Sequence, residues 1–146
     1  MHDHLLQTLG HTSGVHDWRL RRVVTASTQY YLAGREPENE RSVNSERFEV
    51  EVYNDHPAAQ GGEMRRGSAA VTLLPGDEAR IDARIRQAVF MAGLTDNPPF
   101  DLPGPAVYPQ VLTADRLLEA EPARVARDLA GRLLEAVAHE PGISLA

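Results

Sequence analysis

The stretch Arg47-Phe48-Glu49-Val50-Glu51-Val52-Tyr53 alternates apolar and polar residues. Phe48, Val50 and Val52 share one side of an extended chain, and Glu49, Glu51 and Tyr53 share the other. The pattern predicts a strand in a sheet with one buried and one solvated face. Such a sheet is incomplete until something apolar covers it. The chain offers a cover between Asp77 and Gly93, where Ile81, Ile85, Ala88, Val89 and Ala92 recur at helical spacing. Arg80, Arg84 and Arg86 fall on the more solvated sides of this helix. Asp77 is a suitable N-cap, Glu78 complements the first turn, and Gly93 ends the helix.

The remaining segments arrange themselves around that pair. Residues 2–9 predict a short helix carrying Leu5, Leu6 and Leu9 and ended by Gly10. Trp18 to Val24 and Thr28 to Leu32 predict two strands separated at Thr25-Ala26-Ser27. The polar segment Arg35 to Glu40, with Pro37, predicts a turn, and Ser42-Val43-Asn44 a short strand. Asn54 to Gly67, with Pro57, Gly61, Gly62 and Gly67, reads as a loop, and Ser68 to Leu74 as a strand stopped by Pro75-Gly76. Residues 95–111 form a Pro-rich strap, since the prolines of Asn97 to Pro105 suit neither a helix nor a central strand. Its apolar residues Phe100, Leu102, Val107 and Tyr108 are fit to dock on a surface. In the helical segment 113–140, Asp115 caps a short helix through Leu117 and Leu118. Pro122 opens a longer helix with Val125, Leu129, Leu133 and Val137 on one stripe. Pro141-Gly142 ends it, and Ile143-Ser144-Leu145-Ala146 has strand character. The sum is a single α+β domain over 1–146, a largely antiparallel sheet with a covering helix, a Pro-rich strap and C-terminal helices.

Several function classes are disfavoured at once. The formal charge of −6 opposes general binding of nucleic acid or anionic membrane. There is no cysteine, hence no disulfide, thiolate metal site or thiol nucleophile, which agrees with a cytoplasmic location. All 15 basic residues are arginine, which removes lysine Schiff-base chemistry. Met1 to Leu6 has no secretory pattern, and no apolar run approaches the ~20 residues needed to span a bilayer.

Few residues suggest chemistry. His2-Asp3-His4 holds zinc-competent donors, but at a chain terminus without a second shell they read as surface residues. His56, beside Asn54 and Asp55 in the Gly-rich segment, lacks a nucleophile at a recognisable spacing and reads as a solvated histidine. Glu49 and Glu51, on one strand face, suit a solvated sheet better than acid/base work. Arg19 and Arg21 share a strand face, and with Arg22 they suit either an acidic partner or a salt-bridged surface near Glu49 and Glu51. Gly61, Gly62 and Gly67 match no phosphate-binding pattern, and no nucleophile elbow is present. No catalytic, cofactor-binding or metal-binding residue is assigned.

Trp18 to Val24, Ser27 to Gly34, Ser42 to Glu46, Arg47 to Asp55, the Asp77–Gly93 helix and then Asp96-Asn97-Pro98-Pro99-Phe100-Asp101-Leu102-Pro103 with Tyr108-Pro109 follow one another in a telling order. That order resembles the N-terminal region of the TldD/PmbA metallopeptidase family, also called modulators of DNA gyrase. Each motif is weak alone, and the resemblance lies in their shared order. It implies the N-terminal, non-catalytic domain of a longer zinc peptidase, helping to enclose a peptide or unfolded protein segment and to form a homo- or hetero-oligomer. The family's zinc lies on a later His-Glu-xxx-His helix. Here His139-Glu140 is followed by Pro141 and Ser144, so no ligand carries over and zinc is expected only in a further C-terminal part. The segment Pro57 to Gly67 also departs from the family's compact turn. The alternative is a stand-alone protein-binding module without enzymatic activity, using its sheet edge or strap.

Overall fold

The computed structural model describes residues 1–34, 36–58, 61–104, 106–107, 109–111, 113–138 and 140, with Pro37 by its backbone alone. The order of elements is α1 (His2–His11), β1 (Asp17–Ala33), β2 (Glu36–Pro57), β3 (Met64–Leu73), a 3-10 turn (Glu78–Arg80), α2 (Ile81–Ala92), α3 (Arg116–Ala120) and α4 (Pro122–Val137). This is an α+β fold built on a three-stranded antiparallel sheet in the order β1-β2-β3. The chain forms two compact units, one from Met1–Val24 with Glu46–Ala106 and one from Thr25–Ser45 with Val107–Ala146.

The core of the first unit follows the alternation in β2. Phe48, Val50 and Val52 are buried with Leu73, and Trp18, Leu20, Ala69 and Val71 pack against them. From α2, Ile81, Ile85, Ala88 and Ala92 close this face, with Val89 packed at the margin. Leu5 and Leu9 of α1 complete the cluster. The covering helix therefore sits as its periodicity predicts. Its start differs: the Asp77 carboxylate accepts from the Leu74 N–H at 2.9 Å, closing the turn around Gly76 instead of capping α2. The first residues then wind as the 3-10 turn.

The strands are longer than local sequence suggests. No break occurs at Thr25-Ala26-Ser27, and Glu36 to Glu40 of the expected turn are strand; β1 and β2 make one long hairpin, with Gly34 at φ +61° in its turn. Thr and Ser are compatible with strands, and Thr28 and Ser42 meet hydroxyl to hydroxyl at 3.3 Å. Pro37 lies near the start of its strand, where a missing donor is tolerated. The loop expected over Asn54–Gly67 is likewise mostly strand. Pairing continues through Asn54↔Gly67, Asp55↔Arg66 and His56↔Arg65, leaving only the segment around Gly61 and Gly62 to turn. Helix α1 runs through Gly10 to His11, because Leu9 is buried and the Thr12 N–H still bonds the Thr8 carbonyl at 2.9 Å.

In the second unit, Asp115 caps α3 by accepting from the Leu117 and Leu118 N–H groups at 2.7 and 3.1 Å, and Pro122 opens α4. The stripe expected on α4 is split. Val125 and Val137 are half-buried, as are Ala126, Ala130 and Leu134, but Leu129 and Leu133 are 55% and 61% exposed. The covered face lies one step round the helix, where small residues allow closer approach. The expected helix end at Pro141-Gly142 and the strand character of Ile143–Ala146 lie outside the described residues.

Gly67 is where the sheet and α2 come closest. A Cβ there would lie 1.7 Å from the Ala92 carbonyl oxygen, so only hydrogen fits. Gly67→Ala should destabilise the protein by roughly 3 kcal/mol, the upper end for overpacking. Ile85→Ala should cost about 2–5 kcal/mol through lost burial and a residual cavity. Urea unfolding of both variants checks the placement of α2; wild-type midpoints would contradict it.

Candidate functional site

After α2 the chain passes round the edge of β3. Thr95 Oγ1 and its backbone N–H still bond to the end of α2, and the Arg66 N–H donates to the Asn97 carbonyl at 3.0 Å, forming an antiparallel bridge on the outer edge of β3. The strap then reaches the face opposite the core, where Phe100 meets Tyr53 edge-to-face at 5.7 Å between ring centroids.

Arg66 ties these pieces together. Its Nε and Nη2 donate to both oxygens of Asp55 at 2.6 and 2.7 Å, its Nη1 donates to the Phe100 carbonyl at 2.6 Å, and its guanidinium lies 5.6 Å from the Phe100 ring centre. Asp55 and Arg66 are direct partners in the β2–β3 register, which aligns the planar fork before any side-chain entropy is lost. The hydrogen bonds from Arg66 hold the Asp55 carboxyl below its ordinary range, and the same bonds raise Arg66. Behind Phe100, Tyr53 is nearly fully buried, and burial pushes its phenol upward, helped by its hydrogen bond with Glu51.

His56 is part of this arrangement. Its Nε2 lies 3.2 Å from the Thr95 carbonyl, its Nδ1 3.1 Å from the Pro57 carbonyl, and Asp96 is 3.8 Å away. It sits on a strand and fastens the root of the strap, so its place is not a solvated loop. His16 continues the pairing at this end: its N–H donates to the Tyr53 carbonyl, and its Nδ1 accepts from the Asp55 N–H at 3.0 Å. Asn54 donates to the Gly14 carbonyl at 2.8 Å.

The charged residues of the solvated face form a ladder. Arg19 pairs with Glu51 and Arg21 with Glu49, both at 2.9 Å; Arg22, on the other face of the sheet, reaches Glu46 at 2.6 Å beside Phe48. Arg47 also donates to Glu49 at 2.8 Å, the main reason its carboxyl is held below the ordinary range, with Arg21 adding to it. This is the salt-bridged surface, and its exposed pairs add little stability. The terminal cluster does not converge: His2 turns to Asp3 at 3.2 Å, whereas His4 turns to Asp82 at 3.7 Å. Among the described residues no group of three or more His, Asp or Glu side chains is placed to hold a metal ion. His139 lies outside them.

The second unit has a cleft of about 560 Å³ lined by Ser27, Thr28, Ser42, Asn44, Leu118 and Pro122. Its walls mix hydroxyl and amide groups with apolar surface, in the size range of small-ligand sites. Arg127 of α4 donates to Glu40 of β2 at 3.3 Å, and hydrogen bonds with Glu40 and Tyr30 raise its pKa. Among the described residues no helix is long and apolar enough to cross a membrane.

Arg66, the main anchor of the strap, was not singled out by sequence. The available signal was a glycine directly after two arginines at a strand's start, since glycine within a strand marks close approach of other backbone. Asp55→Asn should cost about 1–3 kcal/mol at neutral pH, by leaving Arg66 incompletely paired. Because the folded-state pKa of Asp55 is depressed, the stability it contributes is present above its unfolded value. That contribution should vanish as pH falls through the folded value. Urea midpoints measured from pH 7 down to pH 2 should therefore fall less steeply in acid for the variant. Parallel curves for both proteins would remove Asp55 from this account.

No family model matches the chain, and neither the curated proteins nor the solved structures contain a significant match to it.

Proposed function

We propose that this chain is the N-terminal, non-catalytic domain of a TldD/PmbA-like zinc metallopeptidase, working in the cytoplasm and helping to enclose peptide substrate and to assemble the oligomer. The observation that carries the reading is the strap. The segment most telling in the resemblance, Asp96 to Pro103, follows the covering helix directly and begins by bridging to Arg66 and seating Phe100 on Tyr53. The covering helix and the strap follow the strands in chain order, which supports the reading. The assembly part draws on the second unit, where Leu117, Leu118, Leu129 and Leu133 are 44–61% exposed. Exposed large apolar side chains on two successive helices suit a protein–protein contact. A stand-alone binding module is the second reading, and the same exposed leucines favour it.

When bound elsewhere in the full protein, zinc would supply a Lewis acid and an activated water. The donors described in this chain do not fit such a site, and no step is assigned to them. The expected outcome is a His-Glu-xxx-His segment in the reading frame beyond Ala146 or in a co-transcribed partner. Zinc-dependent peptide hydrolysis should belong to the complete assembly and be absent from this chain alone. Stoichiometric zinc retained by the isolated chain after dialysis, or peptide cleavage by it, would overturn the reading.

Light scattering tests the assembly surface. The full chain should self-associate or bind its partner chain, and Leu129→Glu with Leu133→Glu should return it to the mass of a single chain. An unchanged mass in the double variant would place the contact elsewhere.

A further inference from the structure

We propose that the open edge of β3, together with the flank of α2, is a docking groove for an extended peptide bearing an acidic residue two positions before an apolar one. This deepens the peptide-handling reading above and rests on it.

The Arg66 N–H points away from β2, because it bonds to Asn97 of the strap. Backbone direction alternates along a strand, so the N–H and C=O groups of Ser68, Ala70 and Thr72 point the same way. β3 is the last strand of the sheet, and among the described residues these groups pair with no other segment. The strap closes only the beginning of the edge. The open part, Ser68-Ala69-Ala70-Val71-Thr72-Leu73, carries no charge and no proline, the usual devices that protect an edge.

A strand added there would place alternate side chains over the core side of the sheet, beside α2. That space is a groove of about 240 Å³ lined by Ala69, Val71, Ala88, Met91, Gln87 and Arg84. The floor is small and apolar, and Met91, which is 50% exposed, is a flexible wall able to adapt to an inserted side chain. Main-chain pairing gives such a site its affinity and the pockets for alternate side chains give its preference.

Charge and direction select the occupant. Arg84 is exposed and forms no ion pair among the described residues, and this flank of α2 (Arg80, Arg84, Gln87, Met91) holds no acidic residue. Two copies pairing edge to edge through β3 would bring two such basic flanks towards each other, which disfavours a second copy as occupant. Since Ala92 lies over Gly67, Arg84 lies roughly 12 Å back along the helix, over the Val71 end of the strand. Met91 lies towards the Gly67 end. An antiparallel peptide therefore meets Arg84 first and the apolar floor two residues later.

The test is a titration of the ¹⁵N-labelled full chain with acetyl-Thr-Glu-Thr-Leu-Thr-amide, followed by amide chemical shifts. Saturable shifts should be centred on residues 68–73 and 84–91. Replacing the peptide's Glu by Lys, or Arg84 by Glu in the protein, should weaken binding on the order of tenfold or more. The two changes made together should restore part of it. Ala70→Pro removes an outward N–H and leaves the β2 pairing intact, so it should abolish binding without shifting Val50 or Ile85. If that variant does not fold, Arg84→Glu, an exposed change, carries the test alone. Absence of saturable shifts, shifts centred elsewhere, equal affinity for the Glu and Lys peptides, or edge resonances that broaden with protein concentration alone would each overturn the proposal. Because the titration reads binding to this chain, its failure leaves the metallopeptidase reading standing. A missing zinc motif, in turn, would not alter the titration.

Discussion

The first unit depends on the absence of one side chain. With only hydrogen on Gly67, the carbonyl end of α2 can rest directly on the sheet. Contact at that point sets where the helix lies along β3, and so where Ile81, Ile85 and Ala88 meet Phe48, Val50 and Val52. It also sets where the chain leaves the helix. Thr95 and Asn97 emerge beside Arg66, and from there the strap can reach only the end of the opposite face that carries Tyr53 and Asp55. The Arg66–Asp55 fork and the Phe100 contact are consequences of that trajectory more than causes of it.

Apolar burial and charge have separate tasks here. The core side of the sheet is closed by aliphatic side chains contributing about 1.5–3 kcal/mol each when fully buried. The opposite face carries the arginine–glutamate ladder, which is largely exposed, screened by salt and worth little per pair. The Asp55–Arg66 pair differs from that ladder. Arg66 is 12% and Asp55 24% exposed, the geometry is bidentate, and strap backbone accepts from Nη1 and from the Arg66 main-chain N–H. Partial burial makes the pair costly to break, and the strap is what makes it partially buried.

The parts of the fold visible in sequence were those with long, regular periodicity. Alternation through Val50 and spacing through Ile85 located the strand, the helix and the faces that meet. The parts that were hidden depend on partners distant in the chain. Asn54, Asp55 and His56 look like loop residues until each faces its opposite on β3, and Gly67 looks like a loop glycine until α2 arrives above it. Thr25 to Ser27 and Glu36 to Glu40 have weak local preferences that pairing across the hairpin overrides. On α4 the apolar surface is wide enough to allow two stripes. Leucines marked one, while the covered face follows Ala126, Ala130 and Leu134, because small residues let another surface come close.

Trp18, the only tryptophan, packs against the core of the first unit. Its indole emission is therefore a spectroscopic window on that unit alone. The ellipticity near 222 nm, in contrast, draws on α4, the longest helix, which belongs to the second unit. A melt recorded with both signals distinguishes cooperative loss of the whole chain, in which the two traces superimpose, from sequential loss, in which they separate.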